Sequence, residues 1–268
     1  MRTRIVMTIA SLLLASSAWA QWNIHTIDDG GDVGADNNKV VVDAAGVPHV
    51  FYENRTSDAA MYGVWTGSDW RLEQVLAADW GNWVTGTVDR SGNPHICAST
   101  IPGVLRHAVK VGGEWNVDTV YIQSSIHTFT DIEVDNSNVP HIIDYSSNGD
   151  YILRHFWQVP GPQVTWQVEM ISDSVGGASF AIDDSNRCYV AYYKAQNLYL
   201  WYMNGNRYLT MLVDSLNDVG KYPSVKVAPN GDVCISYYDA TLGDLKYAVG
   251  VHSDKGLLLN DKRKQPAR

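Results

Sequence analysis

An octet that begins with aspartate and ends in Pro-His followed by valine or isoleucine recurs along the chain. It reads Asp-Ala-Ala-Gly-Val-Pro-His-Val at residues 43–50, and close copies occupy residues 89–96 and 135–142. Weaker copies at 183–190 and 228–235 have Cys-Tyr and Val-Cys in place of Pro-His. Measured at the histidine position, successive copies are 46, 46, 48 and 45 residues apart. A repeat of this regularity predicts an array of structural units of one kind.

The octet has the chemistry of a tight turn between two β-strands. Runs rich in β-branched and aromatic residues precede and follow each copy, as expected of strands. The leading aspartate, such as Asp43, can accept hydrogen bonds from backbone N–H groups two residues on, and Gly46 accepts a positive φ. Pro48 then stands at the first position of the next strand, where the missing N–H costs least.

Two further strands complete each unit. A third strand follows the second, and an aromatic residue opens the fourth strand in four of the repeats: Trp70, Trp115, Trp166 and Tyr208. Four antiparallel strands in a repeat of about 46 residues form one blade of a β-propeller. The sequence therefore predicts an all-β fold, a five-bladed β-propeller that spans residues 21–250.

The two ends of the array suggest how the ring closes. Residues 22–27 match a fourth strand but precede the first octet, whereas the last repeat ends after its third strand, near residue 250. We expect the N-terminal strand to complete the last blade, because this removes exposed strand edges. Alternatively, residues 256–260 take that edge, or the chain is part of a longer array. The polar, basic tail over residues 251–268 is expected to be disordered.

Residues 1–20 have the features of a cleavable signal peptide. Arg2 and Arg4 precede an apolar run, and Ala18-Trp19-Ala20 is a small-x-small cleavage site. The run is short for a bilayer span, and no second long apolar stretch follows. We therefore expect cleavage after Ala20 and a secreted or periplasmic protein without stable membrane insertion.

The charge of the chain narrows the choice of partners. The formal net charge is −9 at pH 7, and no basic stripe interrupts the acidic composition of the repeats. Such a surface repels phosphate backbones, which argues against nucleic acid as a partner and disfavours polyanionic glycans. We expect a monomer that recognises a glycan or a surface protein.

The repeated histidines raise the question of a metal site. Zinc needs three or four ligands that converge on one point, but the second strands of different blades diverge. We therefore interpret these residues as structural, and the sequence predicts neither a metal nor a cofactor: His49, His95 and His141.

Three cysteines remain in a chain that is expected to be exported. An odd number leaves at least one free thiol. No pattern of nearby histidine and asparagine supports a nucleophile, so we interpret all three as small buried side chains: Cys97, Cys188 and Cys234.

The loops that vary between repeats are the candidate functional regions. The loops from fourth to first strands and from second to third strands share one face of a four-stranded meander, and function commonly resides on such loops. Sugars stack on aromatic rings while their hydroxyls bond to polar side chains. The candidate ligand contacts are therefore Trp80, Trp83, Tyr222, Arg55 and Asp32. An enzyme would instead need a carboxylate pair, for which the candidates are Glu53 with Asp79 and Asp218 with Asp239.

The repeat pattern as a whole resembles that of secreted bacterial β-propellers of the broad sialidase-like (BNR-like) group. The five-fold count is similar to that of the five-bladed tachylectin-type lectins, and the resemblance covers residues 22–250. The sequence lacks the Ser-x-Asp-x-Gly-x-Thr-Trp box and the arginine triad of sialidases. No proline follows Asp28, Asp29 or Asp32, as it would in five-bladed glycosidases. The resemblance therefore implies architecture and carries over no catalytic residue.

The sequence is compatible with three functions. The leading interpretation is a secreted non-catalytic binding propeller that recognises carbohydrate, in the manner of a lectin, or a cell-surface partner. The alternative is a glycoside hydrolase or polysaccharide lyase that uses the same loop face. A structural or scaffolding module of the cell envelope is the third.

Overall fold

Twenty β-strands in five antiparallel sheets make up the part of the chain that the structure describes. The structure is a computed structural model, and it describes residues 23–77, 82–100, 103–123, 127–146, 151–204, 207–253 and 256–259. These residues contain no helix, and hence none that could span a membrane. The predicted signal peptide over residues 1–20 and the end of the predicted tail lie outside the described residues.

Each sheet has four strands in sequence order. Sheet 1 comprises β1 (Val33–Val42), β2 (Pro48–Asn54), β3 (Ala59–Trp65) and β4 (Trp70–Leu76). Sheet 2 comprises β5 (Asn82–Val88), β6 (Pro94–Ser99), β7 (Val104–Val111) and β8 (Glu114–Ile122). Sheet 3 comprises β9 (His127–Val134), β10 (Pro140–Ser146), β11 (Leu153–Val159) and β12 (Thr165–Ser172). Sheet 4 comprises β13 (Val175–Ile182), β14 (Cys188–Lys194), β15 (Asn197–Asn204) and β16 (Arg207–Asp214). Sheet 5 comprises β17 (Val219–Val227), β18 (Val233–Asp239), β19 (Asp244–Ser253) and β20 (Gly256–Leu259).

The recurring octet forms the turn between the first and second strands, as the sequence predicts. Asp43 Oδ1 accepts the N–H groups of Ala45 and Val47 at 2.9 and 2.8 Å, and Gly46 has a φ of 81°. The same bonds recur at the aspartates that open the next three copies: Asp89, Asp135 and Asp183. Where alanine opens the fifth copy, the turn is held by backbone bonds.

Apolar clusters join each sheet to the next. On the first strands, Ile132, Phe180 and Val225 are buried against the preceding sheet. Gly86 holds the equivalent place in β5, and a Cβ there would lie 2.2 Å from the Phe51 ring of sheet 1. The glycine therefore allows the close approach of sheets 1 and 2. Four buried clusters, one at each junction, form the core of the molecule.

The outer faces of the first and last sheets differ from these junctions. Val40, which is equivalent to Val225, is 64% exposed, and Leu245, which is equivalent to the fully buried Leu105 and Leu153, is 83% exposed. Burial of such side chains supplies most of the favourable free energy of packing. These two faces therefore do not contribute to the apolar core as the four junctions do.

Two expectations about the chain ends need correction. β20 pairs with β19 and takes the edge of sheet 5 that was predicted for the N-terminal strand. This hairpin joins segments that are adjacent in sequence, so its loop-closure entropy is small. Strand structure also continues past residue 250 as far as Leu259, so the boundary predicted for the disordered tail falls inside β19.

Residues 23–32, the described part of the N-terminal segment, lie against sheet 1 and do not pair as a strand. The His25 ring is 5.4 Å from that of Trp65, and Tyr52 donates a hydrogen bond to Asp28 at 2.8 Å. The equivalent Tyr237 of sheet 5 donates to Asp214 at the end of β16 at 2.7 Å. Relative to sheet 1, the segment therefore occupies the place that a preceding fourth strand occupies relative to sheet 5.

Candidate functional site

Charged side chains from the first strands of several sheets meet at the centre of the array. Lys39 Nζ lies 2.8 Å from Asp131 Oδ1 and 3.7 Å from Glu133 Oε1. Lys226 Nζ approaches Glu133 to 3.9 Å, and Thr85 donates to Asp131 at 3.4 Å. Burial lowers the pKa of Lys39, but the two carboxylates outweigh it and raise that pKa above its usual range. The group links sheets 1, 2, 3 and 5, and its charges are paired with one another.

Asp79 and Trp80 of the predicted loop site lie outside the described residues. Trp83 is described, with a φ of 53° at a bulge in β5. Its carbonyl accepts a hydrogen bond from Thr130 of sheet 3 at 2.7 Å, and its side chain is half-buried. Trp83 therefore helps to join sheets 2 and 3, and its ring offers a ligand only part of its surface.

The structure brings together three of the predicted residues at the end of β2. Arg55 Nε donates to Glu53 Oε1 at 2.9 Å, and the Arg55 N–H donates to the Asp32 carbonyl at 2.9 Å. The Glu53 side chain is buried. Burial and the charge of Asp32 raise the pKa of Glu53.

Asp218 and Asp239 are neighbours but have different roles. The two segments are joined by the bond from the Ala240 N–H to the Asp218 carbonyl at 2.8 Å. Asp239 is fully buried, and its Oδ1 accepts the N–H groups of Thr241 and Leu242 at 3.0 and 3.1 Å. Its carboxylate therefore holds a turn. This use does not match the free carboxylate that the predicted catalytic pair requires.

Asp218 instead belongs to a partly exposed group of aromatic and charged side chains. It accepts hydrogen bonds from Tyr193 at 2.8 Å and Lys221 at 2.7 Å, and these bonds lower its pKa. The next residue, Tyr222, is 83% exposed, and its ring lies 6.5 Å from that of Tyr238. We call these five residues the tyrosine cluster; it contains two residues that the sequence singled out, Asp218 and Tyr222.

A cavity of about 310 Å³ lies between the N-terminal segment and sheet 1. Its walls combine apolar side chains such as Val40 and Val50 with the polar groups of Asp28, Asn38 and Lys39. Lys39 is already paired with the central carboxylates, and Asp28 with Tyr52. The cavity therefore offers a mostly apolar recess with few free polar groups.

A buried pair of side chains, His127 and Asp144, was not predicted from the sequence. His127 Nδ1 lies 2.5 Å from Asp144 Oδ1, and both residues are fully buried. Asp144 stands within the apolar run of β10, at the position equivalent to Tyr52; this break in the apolar run was the available signal. Burial raises the pKa of Asp144 although His127 opposes it. Since neither side chain reaches solvent, the pair joins strands rather than contacting a ligand.

One group of three metal-ligating side chains converges within the described parts of the chain. It lies between sheets 3 and 4, away from the tyrosine cluster, and consists of His141, His155 and Cys188.

The fold is similar to that of known propellers. No protein-family model and no curated protein matches the sequence. The fucose-binding lectin of Aleuria aurantia, solved with Fucα1-6GlcNAc, aligns with a TM-score of 0.54 and 15% identity over 83% of this chain and 77% of the lectin. The SapL1 lectin, solved with α-methyl fucoside, aligns with a TM-score of 0.56 and 11% identity, covering 85% and 81% of the two chains. The NanB sialidase of Streptococcus pneumoniae aligns at 0.59 and 8% identity over 89% of this chain and 62% of the enzyme.

These similarities define the class of fold. The protein has the sialidase-like and lectin-type propeller architecture that its repeats predict. At such low identities the likeness concerns the fold alone, and one fold hosts both lectins and hydrolases. The function must therefore be argued from the side chains of this chain.

Proposed function

We propose that the protein is a non-catalytic carbohydrate-binding propeller, that its five sheets are the five blades, and that the tyrosine cluster, which spans sheets 4 and 5, contacts the glycan. The observation that carries the proposal is the exposed ring of Tyr222 beside Tyr238, next to hydrogen-bonding groups that are already oriented. Large exposed aromatic side chains among polar groups mark binding surfaces.

The chemistry of the cluster suits a neutral sugar. The CH groups of a pyranose can stack on the Tyr222 ring, while Asp218 and Lys221 offer an acceptor and a donor for hydroxyl groups. Lys221 and Tyr193 keep the pKa of Asp218 low, so the acceptor stays ionised at neutral pH. The net charge of −9 disfavours a polyanionic glycan.

A glycan-array screen of residues 21–268 tests the proposal, with Tyr222→Ala as the diagnostic variant. Loss of one stacking ring costs about 1 kcal/mol, or about fivefold in affinity. Tyr151→Ala removes another exposed tyrosine, from sheet 3, and is the matched control. Saturable binding that weakens in Tyr222→Ala but not in Tyr151→Ala supports the cluster. Binding that is lost only in Trp80→Ala or Trp83→Ala would place the site between sheets 1 and 2 instead. Absence of binding to every glycan would overturn the lectin function in favour of a surface-protein or scaffolding role.

A glycoside hydrolase is the second candidate, and Glu53 is the reason to test it. A hydrolase needs one carboxyl group that is protonated and another that is ionised, and Glu53 is the candidate for the first because burial and the charge of Asp32 raise its pKa. Hydrolysis of a panel of aryl glycosides that disappears in Glu53→Gln would establish this activity. Retention of the activity in Glu53→Gln would exclude Glu53 as its acid.

We also propose that residues 1–20 are removed during export and that the mature protein is a secreted or periplasmic monomer. The support is the sequence of that segment alone. N-terminal sequencing of the protein recovered from the expressing bacterium should begin at Gln21, and light scattering should give the mass of one chain. A start at Met1 would contradict export by this route.

A further inference from the structure

Three buried side chains from two sheets converge at the junction of sheets 3 and 4. His141 Nδ1 lies 3.0 Å from His155 Nε2. Cys188 Sγ, from β14, lies 3.6 Å from His141 Nδ1 and 4.0 Å from His155 Nε2. The three ligand atoms thus form a compact triangle, and each of the three residues is at most 4% exposed.

The triangle has the size of a metal coordination sphere. Zinc binds imidazole nitrogen at about 2.0–2.1 Å and thiolate sulfur at about 2.3 Å. Around one tetrahedral or trigonal ion, atoms at those distances are separated from one another by about 3.3–3.8 Å. The separation of 3.6 Å falls inside this interval, and those of 3.0 and 4.0 Å fall outside it by 0.3 Å or less, so a small adjustment of side chains would place all three atoms around one ion.

The outer contacts of His141 fit the same role. Its other ring nitrogen, Nε2, lies 3.7 Å from the carboxylate of Asp135, which opens the turn before β10. Histidines that bind metals generally direct their second N–H to a carboxylate or carbonyl group, which fixes the tautomer that leaves the first nitrogen free. Asp135 can therefore orient His141 with Nδ1 directed at the centre of the triangle.

The equivalent place in sheet 2 shows that a histidine pair does not need a metal. There, His95 Nδ1 and His107 Nε2 lie 2.9 Å apart, and His107 Nδ1 is held by Asp118 at 3.0 Å. Pro140 of the next sheet occupies the place that Cys188 holds at the junction of sheets 3 and 4. In sheet 2 the second histidine is thus held by a carboxylate, and a proline stands where Cys188 stands beside the sheet 3 pair.

Sheet 3 departs from this arrangement in two ways that favour a ligand. Glu169 lies across the strands from His155, but it interacts with Tyr208. His155 Nδ1 has no hydrogen-bond partner among the described residues although it is buried. A buried polar group left unpaired costs about 1–3 kcal/mol. His155 therefore lacks the carboxylate bond that Asp118 gives to His107 in sheet 2, and the Cys188 thiol lies within 4.0 Å of both sheet 3 histidines.

We propose that His141, His155 and Cys188 bind one soft or borderline cation, Cu(I) or Zn(II), at the junction of sheets 3 and 4. Two imidazoles and a thiolate suit these ions, whereas Mg²⁺ and Ca²⁺ require oxygen ligands. Binding replaces the thiol proton: the S–H bond breaks, the sulfur–metal bond forms, and the proton leaves to solvent. Because the thiol must lose its proton to bind the ion, uptake weakens as the pH falls.

The test is metal binding by the purified protein, residues 21–268, after treatment with a chelator. Competition titrations with Zn²⁺ and with Cu⁺ should each be fitted to one site, and Co²⁺ should be added as a spectroscopic probe. We expect one equivalent of at least one of the two ions and a thiolate-to-cobalt charge-transfer band. Tighter binding of Cu⁺ or of Zn²⁺ identifies which ion the site prefers.

The variants separate this site from adventitious binding. Cys188→Ser should abolish the charge-transfer band and weaken binding at least about 100-fold, since it removes the thiolate. Cys97→Ser, which removes the other fully buried thiol, is the matched control and should leave both unchanged. His155→Gln should weaken binding about as much, and His107→Gln should not. Far-ultraviolet circular dichroism of the metal-free variants checks the fold. Absence of uptake by the parent protein, or uptake that persists in folded Cys188→Ser, would overturn the proposal.

Discussion

The histidine pairs of sheets 2 and 3 have nearly the same geometry in different surroundings. The ring nitrogens are 2.9 Å apart in one pair and 3.0 Å in the other. In sheet 2, a carboxylate stands near each end of the pair: Asp89 approaches His95 to 3.6 Å, and Asp118 binds His107. In sheet 3, Asp135 stands at one end and the Cys188 thiol lies beside the contact between the rings. One repeated structural motif thus has a carboxylate near both ends in sheet 2 and near one end in sheet 3.

The two pairs also differ in the neighbouring groups that shift the pKa values of their side chains. In sheet 2, burial alone would raise the pKa of Asp89, but hydrogen bonds from His95 and Asn93 lower it to about 2. Asp118 lies 3.0 Å from His107 Nδ1 and fixes the orientation of that ring. In sheet 3, burial and the neighbouring His141 hold the pKa of His155 well below its usual range. The His155 imidazole is therefore neutral and has a nitrogen lone pair to offer.

The largest difference in stability between the two sheets is expected when the second histidine of each pair is replaced by alanine. His107→Ala leaves a cavity and removes a partner of the partly buried Asp118 carboxylate, which we expect to cost about 4 kcal/mol of unfolding free energy. His155→Ala in chelator-treated protein leaves a similar cavity but breaks no bond at Nδ1, and should cost about 1–2 kcal/mol less. Urea unfolding of both variants measures the difference. Equal losses would show that Asp118 does not anchor its pair.

The next largest effect is expected in the pH dependence of the unfolding free energy, to which His155 of the sheet 3 pair contributes. The pKa of His155 is depressed in the folded protein, so the unfolded chain binds the proton more tightly. Stability is therefore fully present above the unfolded pKa of about 6.5 and falls as the pH drops below it, by about 1.4 kcal/mol per pH unit.

The variant His155→Phe checks that slope. Between pH 7 and pH 5.5, chelator-treated His155→Phe should lose less stability than the parent protein, because one of the buried neutral histidines has gone. His95 also has a pKa lowered mainly by burial, so part of the slope should remain. An unchanged slope in His155→Phe would mean that His155 is charged in the folded state.

The four-stranded sheets could be predicted from the sequence more accurately than the ends of the chain or the contacts between sheets. The aspartate and glycine of each octet determine local backbone geometry, so the turns of the first four copies could be predicted from their residues. The fourth strand of sheet 5 could not, because residues 22–27 and 256–260 both suit an edge, and only the pairing of β19 with β20 distinguishes them.

Some features of the candidate sites could likewise be predicted from the sequence, and others could not. Exposure of Tyr222 and the proximity of Glu53 to Arg55 follow from loop positions that the sequence indicates. The triangle at Cys188 was missed because it depends on a third-strand histidine and on the next sheet. Its signal was Cys188 in the place held by proline in the first three copies: Pro48, Pro94 and Pro140.

A smaller effect is expected from the acidic residues opposite the second histidines. Asp118 accepts hydrogen bonds from His107 and from the Trp166 indole at 3.0 Å each, so Asp118→Asn should cost about 1–2 kcal/mol. Glu169 faces His155 across the strands without bonding it, and Glu169→Gln should cost less than about 0.5 kcal/mol. Thermal unfolding of the two variants at pH 7 provides the measurement. A larger loss for Glu169→Gln would indicate that Glu169 supports His155 in solution.

Replacement of the turn aspartates Asp89 and Asp135 should give the smallest difference in stability. The same two substitutions should differ clearly in their effect on metal binding. Asp89 and Asp135 hold their turns with the same pair of backbone bonds, so Asp89→Asn and Asp135→Asn should cost similar amounts, about 1 kcal/mol each. Only Asp135 stands behind a proposed metal ligand. Loss of such an outer carboxylate typically weakens metal binding 10- to 100-fold, so Asp135→Asn should weaken uptake of the ion by about tenfold or more, and Asp89→Asn should leave it unchanged. Because the two substitutions perturb equivalent turns, any difference between them in metal affinity reports on the triangle and not on folding; equal affinities would show that Asp135 serves its turn alone.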